Sequence, residues 1–417
     1  ASMIPVAGSA YTFTYTTVGE IVAWVIGWDL ILEMLMAGSV VSKYWGVYLN
    51  QFFELIGWNI NTNISIGSFD FDLAPIIIVA FFTTLLVLGT KIGARVDGAL
   101  TVLKIAIVAF IVVVGFFYVK AENFTPFIPP SEPAASTDGS GLSAAMEQPL
   151  WQWATGMSPS IYGVTGIISG AALVFFAFLG FDVVATASEE TINPKKNVPL
   201  GIGVGMGLII VLYTLVAIVT TGMVSYKDLA KQKDPSLAVA FKMVGADWAA
   251  KIISLGIVIG MATVVMVLLL GLTRVIFAMS RDGLLPRGLS HTGKRGTPVR
   301  LQIIVGVVMA LIAACCNVGI LSDMVNIGTL SAFTLVAISI PIMRKKRPDL
   351  ERSFKIPGNP WVPILIALAN LWLMVNLSVL TWIRFVVWLI VGFAIYFGYG
   401  YRHARLGTGE LEVAKQE

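Results

Sequence analysis

The sequence predicts an all-α, polytopic membrane protein, and three observations predict it. Of its 417 residues 57% are hydrophobic and 12% charged, with a mean hydropathy of +0.85, which leaves too little polar surface for a globule in water. The apolar residues gather into ten windows of spanning length; about 20 such residues carry an α-helix across a bilayer core, where every backbone polar group must find its partner within the segment. Most basic residues fall in short clusters between these windows, so the net charge of +4 orients the chain in a membrane and is not a nucleic-acid signature.

The windows lie near 21–42, 73–90, 98–119, 164–191, 199–222, 250–279, 299–317, 321–343, 361–380 and 383–402. Assigning alternate connections to one side collects Lys91 and Arg95, Lys195 and Lys196, five basic residues between Arg281 and Arg300, six between Arg344 and Lys355, and Arg402, Arg405 and Lys415 on one face. The other face holds Lys120, Lys227, Lys231, Lys233, Lys242 and Arg384. By the positive-inside rule both ends of the chain are expected in the cytoplasm, with the protein multi-pass in the plasma membrane.

Residues 1–19 hold Pro5, Gly8 and many hydroxyl side chains but no spanning length. The first window carries Asp29 and Glu33, four apart and so on one helix face. Two carboxylates there repel, and an ionisable group inside lipid is costly unless solvated or paired. An aqueous cavity or a cationic partner is the functional reading, and a structural pair bonded to backbone or to a neighbouring helix is the other. Lys104 lies a turn or two into the third window. Its stem either snorkels to the cytoplasmic interface or forms a fixed internal cation whose protonation changes with conformation.

Between the third and fourth windows, Lys120 to Tyr162 is rich in Pro, Ser, Gly and acidic residues and carries Trp151 and Trp153. The segment reads as a flexible linker with an interfacial anchor, or as a cap on an outer vestibule. The fourth window, Gly163–Thr191, is about 29 residues long and is interrupted by Phe175-Phe176-Ala177-Phe178-Leu179-Gly180-Phe181 running into Asp182. That excess length with a central glycine fits two half-helices joined by an unwound turn, whose freed peptide groups hold the ammonium and carboxylate of a small zwitterion. Glu189 and Glu190, followed by Asn193-Pro194-Lys195-Lys196, end that helix at the cytoplasmic face.

Gly201, Gly203, Gly205 and Gly207 recur in the fifth window. No strand precedes them and no Lys-Ser/Thr follows, so close helix packing, not a phosphate loop, is expected. Arg274 is read as snorkelling or as pairing with Asp282, Glu189 or Glu190 at an inner gate. Cys315 and Cys316 are neighbours in an apolar window and are expected to serve packing. His291 and His403 fall in cytoplasmic connections, so neither a histidine relay nor a metal centre is expected. The short charged tail after Arg405 is expected to lack order.

The run from Phe175 to Asp182, continued by Ala187-Ser188-Glu189-Glu190 and Asn193-Pro194-Lys195-Lys196-Asn197-Val198-Pro199, resembles the sixth helix of the cationic amino acid transporter family of the amino acid, polyamine and organocation superfamily. Three further stretches agree: Ser280-Arg281-Asp282-Gly283-Leu284-Leu285-Pro286, Asn326-Ile327-Gly328-Thr329-Leu330-Ser331-Ala332-Phe333, and Arg352 with Phe354-Lys355-Ile356-Pro357-Gly358. The likeness covers essentially the whole chain. It implies a leucine-transporter-like fold of two inverted five-helix repeats plus two C-terminal helices. Residues 1–19 would be the end of helix two and a cytoplasmic loop, 20–119 helices three to five, 120–163 an extracellular loop, 164–345 helices six to ten, 346–403 helices eleven and twelve, and 404–417 a tail. Helix one and most of helix two would lie outside this sequence, so about half of a substrate site is expected here.

Carried over residue by residue, the resemblance implies that backbone groups around Phe176, Ala177 and Leu179 contact the substrate amino group, and that Phe176 closes an outer gate. Glu33 and Asp182 would shape the side-chain pocket, and Lys104 would couple transport to protons. The implied activity is a secondary active amino acid permease working by alternating access with proton symport, its substrate a cationic amino acid, its other partners a proton and the lipid bilayer, with no cofactor. An exchanger and a neutral amino acid transporter of the same fold are the near alternatives. A membrane-embedded enzyme lacks a nucleophile, histidine base or metal set within the windows, and a channel would show a repeated pore ring.

Overall fold

The computed structural model describes residues 11, 14–15, 19–58, 60, 62–66, 69–89, 94–133, 146–157, 160–181, 184, 191–232, 234–293, 296–346, 348 and 356–404. Within them the helices are α1 (Glu20–Leu55), α2 (Leu73–Val87), α3 (Ala94–Phe116), α4 (Leu150–Thr155), α5 (Gly163–Val174), α6 (Pro194–Met223), α7 (Tyr226–Ala230), α8 (Leu237–Met243), α9 (Asp247–Arg281), α10 (Val299–Cys315), α11 (Val318–Lys346), α12 (Trp361–Val375), α13 (Val379–Ile395) and α14 (Tyr401–His403). Among the described residues six helices are long and apolar enough to cross a membrane, and four shorter apolar ones, α2, α5 with its following turn, α10 and α12, bring the set to the ten windows.

The middle of the molecule is α1, buried on most of its circumference from Ala23 to Val41 and packed against α9, α11, α10, α2 and α13. Small residues make that crowding possible. A Cβ on Gly38 would meet Met309 of α10, one on Gly46 would meet Ala74 of α2, and Gly328 of α11 lies against Leu32 and the Asp29 carbonyl. Ser39 closes the same seam by donating to Leu35 O at 2.9 Å and Met309 O at 3.3 Å. At one end Trp24 stacks on Trp28, which stacks on Trp388 of α13 at 4.4 Å and donates to its carbonyl at 2.9 Å; Gly392 gives the Trp28 indole its room.

Around this core α3 packs on α9, where Gly256 receives Ile107 and Gly260 receives the methylenes of Lys104. The outer helices present Val102, Val113, Ile210, Val211, Ile304 and Leu365 outward. Such an apolar exterior suits hydrocarbon, not water.

The described parts of the connections carry strands and fixed contacts. Strands β1 (Asn63–Ile66) and β2 (Phe69–Asp72) form an antiparallel hairpin with Asn63 opposite Asp72. Asp72 then caps α2 by accepting from Ala74 N at 3.1 Å. In the expected outer linker, β3 (Glu132–Pro133) pairs with β4 (Ser160–Ile161), and Lys227 binds Glu132 at 2.8 Å. Pro149 bridges Ser378, Leu150 N donates to Leu377 O, and Val379 N donates to Gln148 O, so the tryptophan-bearing α4 is docked on the α12–α13 junction. Trp153 remains 55% exposed.

Two expectations are corrected. Among the described residues Gly201, Gly203, Gly205 and Gly207 face open space, since a Cβ added at any of them would meet none of those residues within 4 Å, and so they mediate no packing there. Residues at every second position step round a helix by 200°, which puts Gly201 and Gly205 on one face and Gly203 and Gly207 on the opposite one, so no single seam can use all four. Cys315 is exposed at the end of α10 and Cys316 is half-buried, so Cys315 is not a packing residue. The Cys316 carbonyl accepts from Lys43 Nζ at 2.8 Å.

Candidate functional site

The helical ladder of α5 stops at Val174. Phe175–Phe178 continue as a single 3-10 turn, Leu179 is extended at φ −65° and ψ 147°, and Gly180 takes φ +106°. Only glycine enters that last region without strain, so Gly180 fixes where the backbone departs from the helix axis. Ending a helix inside the apolar layer leaves carbonyls of its last turn without intrahelical partners. One is satisfied from outside: Asn326 Nδ2 of α11 donates to Leu173 O at 3.3 Å. Asn326 is fully buried, and its Oδ1 has no hydrogen-bond partner among the described residues.

Aromatic packing holds the turn against two helices. Phe175 meets Phe333 of α11 edge-on at 6.2 Å, Phe181 meets the same ring at 5.1 Å, and Phe178 meets Tyr213 of α6 at 5.4 Å. Phe176 and Leu179 are half-buried and turn the other way, packing on the core built from α1 and α9. Ala177 is exposed. Asp182, Glu189 and Glu190 lie outside the described residues.

Glu33 and Asp29 are both at 0% exposure on α1. Leu32, beside Glu33, shares an apolar cluster with Ala172 of α5, and Phe175 packs on that cluster. The acidic stretch of α1 and the broken turn of α5 therefore border one apolar cluster, which α11 joins from both sides. Ser331 of α11 is the polar side chain facing Asp29. Lys104 sits on a different seam: half-buried on α3, with its Cγ 3.3 Å from where a Gly260 Cβ would stand. Met261, adjoining Gly260, touches the core that also receives Phe176 and Leu179, so α9 links the two places.

At the cytoplasm-assigned end, α9 closes in a tight cap. Gly283 at φ +84° lets Leu284 N return to Met279 O at 3.0 Å, and Ser280 Oγ donates to Pro286 O at 2.5 Å. Asp282 accepts from Tyr11 Oη at 2.9 Å and lies 3.6 Å from Arg281 Nε. Burial, reinforced by the Asp282 charge, pushes the Tyr11 hydroxyl far above the ordinary tyrosine range, which keeps it a donor. Arg274 is half-buried on the same helix.

Two residues escaped the sequence reading as individuals. Asn326 lay within one of the motifs, and a polar amide in an apolar window is itself a signal. Asp323, near the start of α11, accepts from Thr381 of α13 at 3.1 Å; a carboxylate just inside the window edge was its signal.

A bundle of apolar helices around a buried acidic helix, with one neighbouring helix broken at an aromatic and glycine turn, defines a multi-pass membrane transporter. A family profile described as amino acid permease matches residues 1–398. The chain is 40% identical over 414 residues to the branched-chain amino acid permease BcaP of Bacillus subtilis (strain 168), covering 97% of this chain and 82% of that protein. It is 39% identical over 415 residues to the methylthioribose transporter of the same organism, with the same coverage of 97% and 82%. To cationic amino acid transporter 3, mitochondrial, of Arabidopsis thaliana it is 36% identical over 358 residues, 84% of this chain and 54% of that protein. The chain belongs to the amino acid permease family, and it is a transporter, not an enzyme.

Proposed function

We propose that the chain carries an amino acid across the plasma membrane by alternating access, with inward movement of a proton. The observation that carries this reading is the loss of helix at Phe175–Gly180 beside the acidic stretch of α1. Backbone groups around Phe176, Ala177 and Leu179 hold the substrate's ammonium, the Phe176 carbonyl also accepting from Leu179 N at 3.2 Å, and Asn326 Oδ1 adds a buried acceptor beside them. Phe176 closes the outer side of the chamber, while Glu33 and Asp182 polarise its side-chain end. Lys104, packed on Gly260 of α9, is the proton-coupling group. Both termini face the cytoplasm, as the basic connections imply.

For the substrate side chain, a neutral aliphatic group fits best. Phe175, Phe176, Leu179, Phe181 and Phe333 give the neighbourhood an apolar character, Glu33 is wholly buried, and a relative covered over 82% of its length is named for branched-chain amino acids. A cationic amino acid is the second reading, favoured by the Glu33 carboxylate and by the plant relative's name. Uptake of labelled leucine and labelled arginine by the full-length protein in liposomes separates them. Leucine uptake that survives Glu33→Gln supports the neutral reading; arginine uptake abolished by Glu33→Gln replaces it with the cationic one. In Lys104→Ala, pH-driven accumulation is expected to vanish while counterflow persists; accumulation retained would remove the coupling role.

A further inference from the structure

A basic recess beside α10 has chemistry that the transport cycle does not use. Among the described residues Arg287, Gly288, Ser290, His291 and Arg300 line an open cavity of about 560 Å³, and none of these five is a carboxylate. Arg287, Gly288 and Ser290 belong to a 3-10 turn, Arg287–Ser290, that packs on both α9 and α10, and Arg300 lies in the first turn of α10. Two guanidinium forks match the oxygens of a phosphate, and the first turn of a helix adds positive potential. The same connection carries Lys294 and Arg295 in the sequence.

What lies below the recess selects among phosphates. Ile303, Ile304, Val307 and Leu311 follow Arg300 at the third, fourth, seventh and eleventh positions and so continue its face of the helix. They are 47%, 50%, 53% and 57% exposed. A free anion would use the cations and ignore this stripe. A phospholipid uses both, its phosphate on the guanidiniums and its acyl chain along about 12 Å of apolar helix. We propose that this recess binds the headgroup phosphate of an anionic phospholipid whose acyl chain lies on the α10 stripe, steadying the connection between α9 and α10.

The test is thermal unfolding of the full-length protein in nanodiscs of phosphatidylcholine, with and without phosphatidylglycerol, and in phosphatidylcholine with added inorganic phosphate. Phosphatidylglycerol is expected to raise the unfolding midpoint by about 3 °C or more, the scale of a bound ligand's stabilisation. Arg287→Gln with Arg300→Gln is expected to remove that rise, measured against the same variant in phosphatidylcholine alone. An equal rise with inorganic phosphate, no rise with phosphatidylglycerol, or a rise undiminished in the double variant would each overturn the proposal. Should the glutamine pair fail to fold, Arg287→Lys with Arg300→Lys keeps the charge and loses the forks. That pair is expected to cut the rise by half or more, and a full rise overturns the proposal equally.

Discussion

Asn326 concentrates the chemistry of the broken helix in one side chain. It spends its amide hydrogen on the Leu173 carbonyl and buries an acceptor with no hydrogen-bond partner among the described residues. Leaving such an acceptor unmade costs about 1–3 kcal/mol, and a leucine here would relieve that cost while withdrawing the donor from the Leu173 carbonyl at a similar cost, so the two roughly offset. Asn326→Leu is therefore expected to shift stability by less than about 1 kcal/mol and to weaken substrate binding about tenfold or more; unfolding midpoints and binding isotherms measure the two. Weakened stability with unaltered binding would make Asn326 a structural residue. Tyr11 makes a different prediction. Its proton affinity is raised by burial and then by Asp282, so a bond that depends on the protonated hydroxyl persists below the ordinary tyrosine range and fails only above it. Tyr11→Phe is expected to change transport by the same factor at every pH from about 6 to 9, because neither folded nor unfolded tyrosine titrates there; an effect that grows with pH in that window contradicts this.

Among the elements, glycines show which helix seams are tight. Gly256 and Gly260, four apart on α9, face Ile107 and Lys104 of α3. Gly260→Leu is expected to displace the Lys104 stem and destabilise by about 1–3 kcal/mol. Gly201→Ala with Gly203→Ala meets open space and is expected to stabilise α6 by about 1 kcal/mol per site or leave it unchanged; denaturation midpoints in detergent distinguish the two seams. The periods explain what could be read in advance. Apolar windows of spanning length mark helices because lipid forces each span to satisfy its own backbone, and each of the ten windows holds a helix among the described residues, the fourth only as far as its broken turn. The far end of α1 was not legible: Lys43, Asn50 and Gln51 end the apolar window, yet the helix continues to Leu55. Those side chains find partners in Cys316, Thr62 and Asp234, all distant in sequence or set by the turn chemistry of the next connection. The hairpin before α2 escaped notice for the same reason, although Asp72 followed by Pro75 was a cap signal. The stop of α5 was legible because aromatic crowding followed by Gly180 leaves a local trace.

For the whole molecule, α1 is the axis on which the other helices converge, and the broken α5 is applied to its acidic stretch through shared apolar clusters. What a window scan cannot reveal is this convergence, since burial of Asp29 and Glu33 follows from α9, α10 and α11 closing round α1, a matter of tertiary packing. The central claim is that the backbone departure at Gly180 creates the substrate's binding place. Gly180 has no neighbour that a Cβ would strike and is special only in its φ of +106°, so Gly180→Ala perturbs the turn's conformation alone, at about 1–3 kcal/mol. The direct measurement is uptake of labelled amino acid into liposomes under an imposed pH gradient, comparing the full-length protein with Gly180→Ala at matched unfolding midpoints. At least a tenfold loss of uptake in the variant is predicted; equal uptake by both proteins would contradict the account.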